Sequence, residues 1–351
     1  MRIGVLTFHR CINYGSYWQA RCLVDGLRAR GHDAVLLDHD SRSVRQAEWR
    51  CAFQPQLPRR TERRDLGRYG EKARRFLRAF ERLPRSHCFP LEMPALAGDY
   101  DLVLVGSDEV WNFRHPWYSA KPIFFGEGLR AGRLAAYAAS FGNHDANDGI
   151  DPRWAERLAA FDAISVRDDN SRTLLAGALG KAPEVVLDPC LQFPPPPADE
   201  PPRREVAVYG HGFPAWFASA VRAWTEKAGH RLVSIGYRND WADEQRIEAD
   251  PDDFRRLIAA STAVVTNFFH GCVFALVNAR PFACVASDYR AIKLGDLTRR
   301  LGAEHRLVEA GTAPGIVGEL LATPLASNIA DRIRGARQRS HRFLDLALGE
   351  A

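Results

Sequence analysis

The chain has 351 residues, of which 46% are hydrophobic and 26% are charged, and its formal net charge is +5. These proportions are ordinary for a soluble globular protein and exclude intrinsic disorder, collagen and coiled coil as descriptions of the whole chain. No apolar run approaches the ~20 residues that cross a bilayer, so we expect no membrane-spanning helix. The length predicts two domains of roughly 100–200 residues each.

The N-terminal stretch at 1–7 is apolar but short, and polar residues follow it at once. It is too short for the core of a signal peptide, so we interpret it as a first strand and expect a cytoplasmic protein. The seven cysteines include no Cys-x-x-Cys pair. Zinc ribbons and thioredoxin-like redox motifs are therefore not expected, and no metal-ligand spacing is visible elsewhere.

Apolar strands and helical segments alternate along the first half of the chain. A strand at 3–6 leads through a glycine-containing turn into a helix beginning at Ser16, and a buried strand follows at 34–37. Such strand–helix–strand units build parallel sheets. Further strands are predicted at 100–105, 134–139, 163–166 and 184–187.

One segment supplies the whole positive charge. Residues 42–85 include 14 Lys/Arg and 5 Asp/Glu, so the rest of the chain is net negative. We favour a solvated, arginine-rich helical insertion. The alternative is a surface that attracts an anionic acceptor or the anionic face of a membrane. Nucleic acid is not expected as a partner, because no recognition motif accompanies the charge.

The composition changes at 194–204, where six prolines predict a stiff, extended linker. Strand–helix alternation resumes after it. We therefore predict an N-terminal α/β domain at 1–193, including the insertion 42–85, and a C-terminal α/β domain at 205–325. The helix within 326–351 is expected to pack back on the N-terminal domain.

Ligands bind at the carboxyl ends of strands in open α/β sheets, so polar residues in those positions are the candidates. Asn13, Tyr14 and Gly15 follow the first strand and lead into a helix, whose first N–H groups form an anion site. The alternative is a plain turn with Ser16 as N-cap, which is favoured when the turn is taken alone. The turn matches neither dinucleotide-binding nor P-loop motifs.

Two further clusters follow strands in the first half. Ser107 and Asp108 come directly after a buried strand, where a carboxylate is well placed as a general base, although either residue could instead cap a helix. Arg167 follows the strand at 163–166 and offers a rigid fork for phosphate or carboxylate. The alternative for Arg167 is a surface region with Asp168 that has no function.

The second half adds two clusters. Asn267, His270 and Gly271 stand at a strand–helix junction, which makes a functional histidine more probable than it is elsewhere. Arg290 and Lys293 lie about one helical turn apart and could reach the same cleft. The alternatives are a structural histidine and an ordinary helix start.

Taken in order, these clusters resemble the polysaccharide pyruvyl transferase family from residue 3 to about residue 301. Each piece is weak alone, and their joint order and spacing make the match specific. The residues that show the resemblance are Thr7, 13–15, 19–20, 106–108, 110–112, 137–142, 165–167, 187–189, 269–271 and 281–282.

The resemblance implies a two-domain α/β fold, glycosyltransferase-B-like, with two Rossmann-like domains facing a cleft and the N-terminal domain, 1–193, on the acceptor side. It also implies an enzyme that moves a pyruvyl group from phosphoenolpyruvate to two sugar hydroxyls, giving a ketal without a further cofactor. His270 would be the general acid, Asp108 its partner base, and Arg167 the donor contact. Many relatives have an arginine or a small polar residue where this chain has Phe268 and Phe269. The substrate-binding residues would be Asn13, Tyr14, Gly15, Ser107, Asn267, Gly271, Arg290 and Lys293.

The expected partners are phosphoenolpyruvate and a sugar or lipid-linked glycan acceptor. Two alternatives stay open: a sugar-nucleotide-dependent glycosyltransferase of the same fold, and a non-catalytic glycan-binding relative. The first would need a base-and-ribose site in the second domain, and neither 210–212 nor 234–236 decides it. The presence of Asp108, Arg167 and His270 together argues against the second, since a pure binder needs no acid–base pair.

Overall fold

The computed structural model describes residues 1–198 and 200–350, so position 199 of the predicted linker and position 351 of the C-terminal segment lie outside the described residues. The strands are β1 (Arg2–Leu6), β2 (Asp33–Leu36), β3 (His39–Asp40), β4 (Phe89–Pro90), β5 (Asp99–Val105), β6 (Arg130–Ala139), β7 (Ala163–Val166), β8 (Glu184–Val185), β9 (Glu205–Tyr209), β10 (Arg231–Ile235), β11 (Glu244–Arg246), β12 (Ala263–Thr266), β13 (Phe282–Val285) and β14 (Leu307–Val308). The helices are α1 (Tyr14–Ala29), α2 (Arg42–Phe53), α3 (Arg63–Glu81), α4 (Pro152–Ala159), α5 (Asp169–Leu179), α6 (Pro189–Gln192), α7 (Ala215–Ala228), α8 (Pro251–Ala260), α9 (Phe269–Val277), α10 (Ala291–Leu301), α11 (Pro314–Ala322) and α12 (Ser327–Leu348).

The first of two compact units contains Met1–Glu48, Arg82–Pro194 and the residues from Ile333 onward. Its sheet has the order β2-β1-β5-β6-β7-β8, and every pairing is parallel. The strands are near-continuous apolar runs, as in β5, because helices cover both faces of such a sheet. Because this unit includes the residues from Ile333 onward, most of α12 belongs to it.

The second unit contains Trp49–Glu81 and Pro195–Arg332. Its sheet has the order β11-β10-β9-β12-β13-β14, again with parallel pairing throughout. The two six-stranded sheets are separate. The chain passes between the units after Glu48, Glu81, Pro194 and Arg332. The predicted α/β class, with one six-stranded parallel sheet in each of two units, is confirmed.

The basic segment differs from the expectation of a solvated insertion in the N-terminal domain, since Trp49–Glu81 belong to the second unit. One face of α3 is buried and includes Asp65 and Lys72. Charge complementarity explains this placement. The ion pairs that hold the segment to the second unit are Asp65–Arg238, Arg59–Asp240, Arg68–Glu248, Arg75–Asp250 and Arg75–Asp253.

Candidate functional sites at the strand ends

In the first unit, Asp108 lies in the turn that follows β5, the strand between β1 and β6. Gly106 permits this turn: its φ is 107°, and a Cβ there would lie 2.4 Å from the carbonyl oxygen of Tyr137. Asp108 itself has a φ of 82°, which non-glycine residues rarely adopt. No helix begins at Ser107 or Asp108, so neither residue is the helix cap that was the alternative.

Three groups hold the Asp108 carboxylate. The Ser16 hydroxyl donates to Oδ2 over 2.9 Å, and Nη2 of Arg167 donates to Oδ1 over 3.1 Å. The backbone N–H of Glu109 also donates to Oδ1, over 2.9 Å. These three hydrogen bonds fix the carboxylate in position, and Asp108 remains 9% exposed. A carboxylate held in this way suits a general base.

Arg167 is buried and bridges two carboxylates, because its Nη1 also lies 3.3 Å from Oδ2 of Asp188. Burial alone would lower its pKa, but Asp108 and Asp188, with Glu109 and Asp168 nearby, raise the pKa of Arg167. Arg167 and Asp168 are both buried, so they do not form the surface region that was the alternative. Asp168 caps α5 instead, accepting from the Ser171 N–H.

The start of α1 lies beside this cluster. Asn13 is the N-cap, since its side chain accepts from the N–H groups of Gly15 and Ser16. The alternative that made Ser16 the cap is therefore wrong, and the Ser16 hydroxyl turns to Asp108 instead. Tyr14 and Gly15 are buried in the first turn. Asn13, Gly15 and Ser16 thus form a rigid corner next to the carboxylate.

In the second unit, His270 is the second residue of α9, directly after β12. Gly271 is required there because a Cβ would lie 2.0 Å from Oγ1 of Thr266. That hydroxyl donates to the Tyr209 carbonyl over 2.7 Å and ties β12 to β9. Asn267 donates from Nδ2 to the carbonyl of His211 over 2.8 Å. The glycine after His270 is thus a consequence of how closely α9 begins against its strand.

Phe268 and Phe269 stand where many relatives are expected to have an arginine or a small polar residue. Arg290 brings a cation next to Phe268. The Arg290 guanidinium lies 4.3 Å from the centre of the Phe268 ring, at cation–π distance. Lys293 lies 5.4 Å from the Tyr289 ring, and Arg290 lies 5.9 Å from the same ring. Both cations that the sequence singled out therefore collect around these two aromatic rings.

Of the predicted residues, the structure brings Asp108 and Arg167 into contact in the first unit. Asn13, Tyr14, Gly15 and Ser107 lie in the same unit, whereas Asn267, His270, Gly271, Arg290 and Lys293 lie in the second. The residues at the carboxyl ends of the strands differ in charge between the two sheets. Acidic groups dominate around Arg167, and cationic and imidazole groups collect around Phe268.

Sequence reasoning missed three side chains at these edges. The sequence indicates only a capping role for Ser16, because its contact with Asp108 joins residues 92 positions apart. His211 had only its place after a predicted strand as a signal. Lys72 had none, because it sits in a charged helix that composition alone describes as solvated.

A family model described as polysaccharide pyruvyl transferase matches residues 13–289. That span includes every predicted site residue except Arg290 and Lys293. No curated protein matches the sequence significantly. Among the described residues, no helix combines the length and the apolar character needed to cross a membrane.

Three solved structures share the fold. The S. aureus MnaA structure with UDP aligns over 99% of this chain and 97% of that chain, with a TM-score of 0.52 and 13% identity. A putative UDP-N-acetylglucosamine 2-epimerase from Listeria monocytogenes gives 0.51 and 12%, covering 100% and 97%. The Neisseria meningitidis UDP-GlcNAc 2-epimerase bound to UDP-GlcNAc gives 0.50 and 10%, covering 98% and 99%. At such identities the likeness shows the fold alone, in agreement with the predicted two-domain, glycosyltransferase-B-like class.

Proposed function

Because the chain belongs to the polysaccharide pyruvyl transferase family, we propose that it transfers a pyruvyl group from phosphoenolpyruvate to two hydroxyls of a sugar or glycan acceptor. The product is a cyclic ketal, and inorganic phosphate is released. The proposal needs no cofactor besides the donor itself.

The difference in charge between the two strand edges is the observation that supports this assignment most. Phosphoenolpyruvate has a phosphate and a carboxylate, and both are recognised by cations and helix N-termini. Arg290 and Lys293 in the second unit suit that donor. Asp108 in the first unit suits a neutral hydroxyl, since a carboxylate there repels an anionic donor and accepts a proton from an alcohol.

The chemistry then divides between two groups. His270 donates a proton to the methylene carbon of the donor, and the adjacent carbon becomes an oxocarbenium that an acceptor hydroxyl attacks. Asp108 takes the proton of that hydroxyl and stabilises the cation. The bond between this carbon and the phosphate oxygen then breaks, and a second hydroxyl adds to close the ketal. One of the two hydroxyl protons returns His270 to its protonated form, and the other leaves with the phosphate.

Arg167 is the predicted donor contact, and its geometry favours a second role. Its guanidinium contacts two carboxylates, at 3.1 Å from Asp108 and 3.3 Å from Asp188. A buried guanidinium between two carboxylates fixes the orientation of Asp108. We therefore assign Arg167 first to positioning Asp108, with direct donor binding as the competing role.

Saturation-transfer NMR with phosphoenolpyruvate and with UDP, on the same purified chain, tests the proposal. We expect transfer to phosphoenolpyruvate, together with phosphate release when a sugar acceptor from a panel is added. Saturation transfer to UDP, with no transfer to phosphoenolpyruvate, would favour the sugar-nucleotide glycosyltransferase. Binding of glycans without turnover of either donor would favour the non-catalytic relative.

A further inference from the structure

A histidine that the family resemblance does not single out lies at the basic edge of the second unit. His211 follows β9, the strand that pairs with β12 in register Tyr209 to Thr266. The chain reaches it through Gly210, whose φ is 146° and whose Cβ would lie 2.1 Å from Oδ1 of Asn267. Only glycine fits this turn, and Asn267 then holds the His211 carbonyl over 2.8 Å. The backbone of His211 is therefore held by the residue that precedes Phe268.

The surroundings of the imidazole are aromatic. Its ring centre lies 5.4 Å from that of Phe268, at an interplanar angle of 88°, and 5.1 Å from that of Tyr237. His211 stays partly exposed, whereas Phe268 and Tyr237 are buried. The three rings make a platform of which the imidazole is the accessible polar part.

Two cations border this platform. Arg290 lies over Phe268 at 4.3 Å, and Nζ of Lys72 lies 4.3 Å from the centre of the Tyr237 ring. Lys72 comes from α3 and donates to the carbonyl of Gly236 over 2.9 Å. Burial, with the charges of Arg290 and Lys72, lowers the pKa of His211 to about 4. The imidazole is thus neutral at neutral pH, and an anion placed beside it would reverse that balance.

We infer that His211 and Arg290 form a binding site for a phosphate or carboxylate group on the Phe268–Tyr237 platform, and that His211 takes up a proton when the anion binds. The site itself rests on these contacts. Its occupant in the cell, one anionic group of phosphoenolpyruvate, rests on the proposed function. Lys72 is a positioning residue here, since it sets the charge behind Tyr237 from a helix distant in sequence.

NMR titration of the histidine side chains in the full chain tests this inference. The His211 signal is identified by its loss in His211→Gln and, as a second variant, His211→Asn. Its titration midpoint is measured without added anion, with inorganic phosphate and with phosphoenolpyruvate. We expect either anion to raise the midpoint by on the order of one to three pH units. His305, which is exposed in the same unit, provides the control, and its midpoint should not move.

Affinity supplies the second measurement. His211→Gln should weaken phosphoenolpyruvate binding roughly tenfold or more, as expected for loss of a charged hydrogen bond, whereas His305→Gln should leave it unchanged. A midpoint raised by phosphate in a chain that does not bind phosphoenolpyruvate would support the site and refute the proposed donor. Phosphoenolpyruvate binding that leaves the His211 midpoint unmoved would overturn the inference and leave the proposed function standing. A midpoint that neither anion moves would overturn the inference as well.

Discussion

The Ser16 hydroxyl donates to Oδ2 of Asp108 over 2.9 Å, and so joins the first turn of α1 to the turn that follows β5. The bond leaves the other carboxylate oxygen to Arg167 and the Glu109 N–H. A base that accepts from three donors is held in one orientation, which lowers the cost of aligning it with an acceptor hydroxyl.

Ser16→Ala should therefore lower kcat by about tenfold and leave the KM for phosphoenolpyruvate close to its wild-type value. The reason is that the hydroxyl orients the base and, in this account, does not contact the donor. Ser16→Thr keeps the hydroxyl and should recover most of the activity. Steady-state kinetics of phosphate release gives both constants, and a raised KM with unchanged kcat would assign Ser16 to substrate binding instead.

Arg167→Lys distinguishes the two roles of that arginine. If Arg167 positions Asp108, the variant should lose roughly tenfold in kcat, because an ammonium cannot bridge two carboxylates as the planar guanidinium does. Arg172→Lys, on the exposed surface of α5, is the matched control and should behave as wild type. A rise in KM for phosphoenolpyruvate with kcat preserved would show instead that Arg167 contacts the donor.

Gly271→Ala tests the packing that sets His270 in place. The added Cβ would lie 2.0 Å from Oγ1 of Thr266, so the start of α9 must move away from β12. We expect a loss of about 1–3 kcal/mol in the free energy of unfolding, typical of overpacking. Gly315→Ala, in α11 with nothing within 4 Å of the added Cβ, should be neutral or slightly stabilising. Equal unfolding midpoints for the two variants in urea would contradict the packing argument.

Lys72 predicts how stability depends on pH. Burial lowers its pKa to about 7, below the ~10.4 of an exposed lysine. Between these values the unfolded chain binds more protons than the folded chain, so the Lys72 contribution to stability rises with pH from about 7 to about 10. The difference in unfolding free energy between wild type and Lys72→Met should change across that window. Lys227→Met, at an exposed site in α7, should show no such change, and parallel curves for wild type and Lys72→Met would refute the expectation.

The fold was predictable wherever a strand is an uninterrupted apolar run. The predicted strands at 100–105 and 134–139 end where β5 and β6 end, and the predicted strand at 163–166 coincides with β7, because burial on both faces of a parallel sheet demands apolar runs. β11 has the sequence Glu-Gln-Arg and gives no apolar signal. It is recognisable only once β10 offers it a parallel edge.

The placement of α3 was not predictable for a different reason. Its net charge indicates a solvated face, yet Asp65 and Lys72 are buried against residues more than 160 positions away, at Arg238 and Gly236. Local composition cannot show which distant charged groups and carbonyls will pair with the side chains of a charged helix. The same limit applies to the Ser16–Asp108 contact, whereas the position of Asp108 after its strand was visible from the sequence.

The roles of His270 as acid and Asp108 as base are tested by the turnover of His270→Ala and Asp108→Asn with phosphoenolpyruvate and an accepted sugar, alongside the melting temperature of each variant. Phosphate release and mass spectrometry of the acceptor report phosphate and ketal in the same reaction. We expect wild type to form both, and each variant to lose about 10²–10⁴-fold in kcat with its melting temperature near that of wild type. Folded variants that turn over phosphoenolpyruvate at close to the wild-type rate would contradict the assignment of His270 as acid and Asp108 as base.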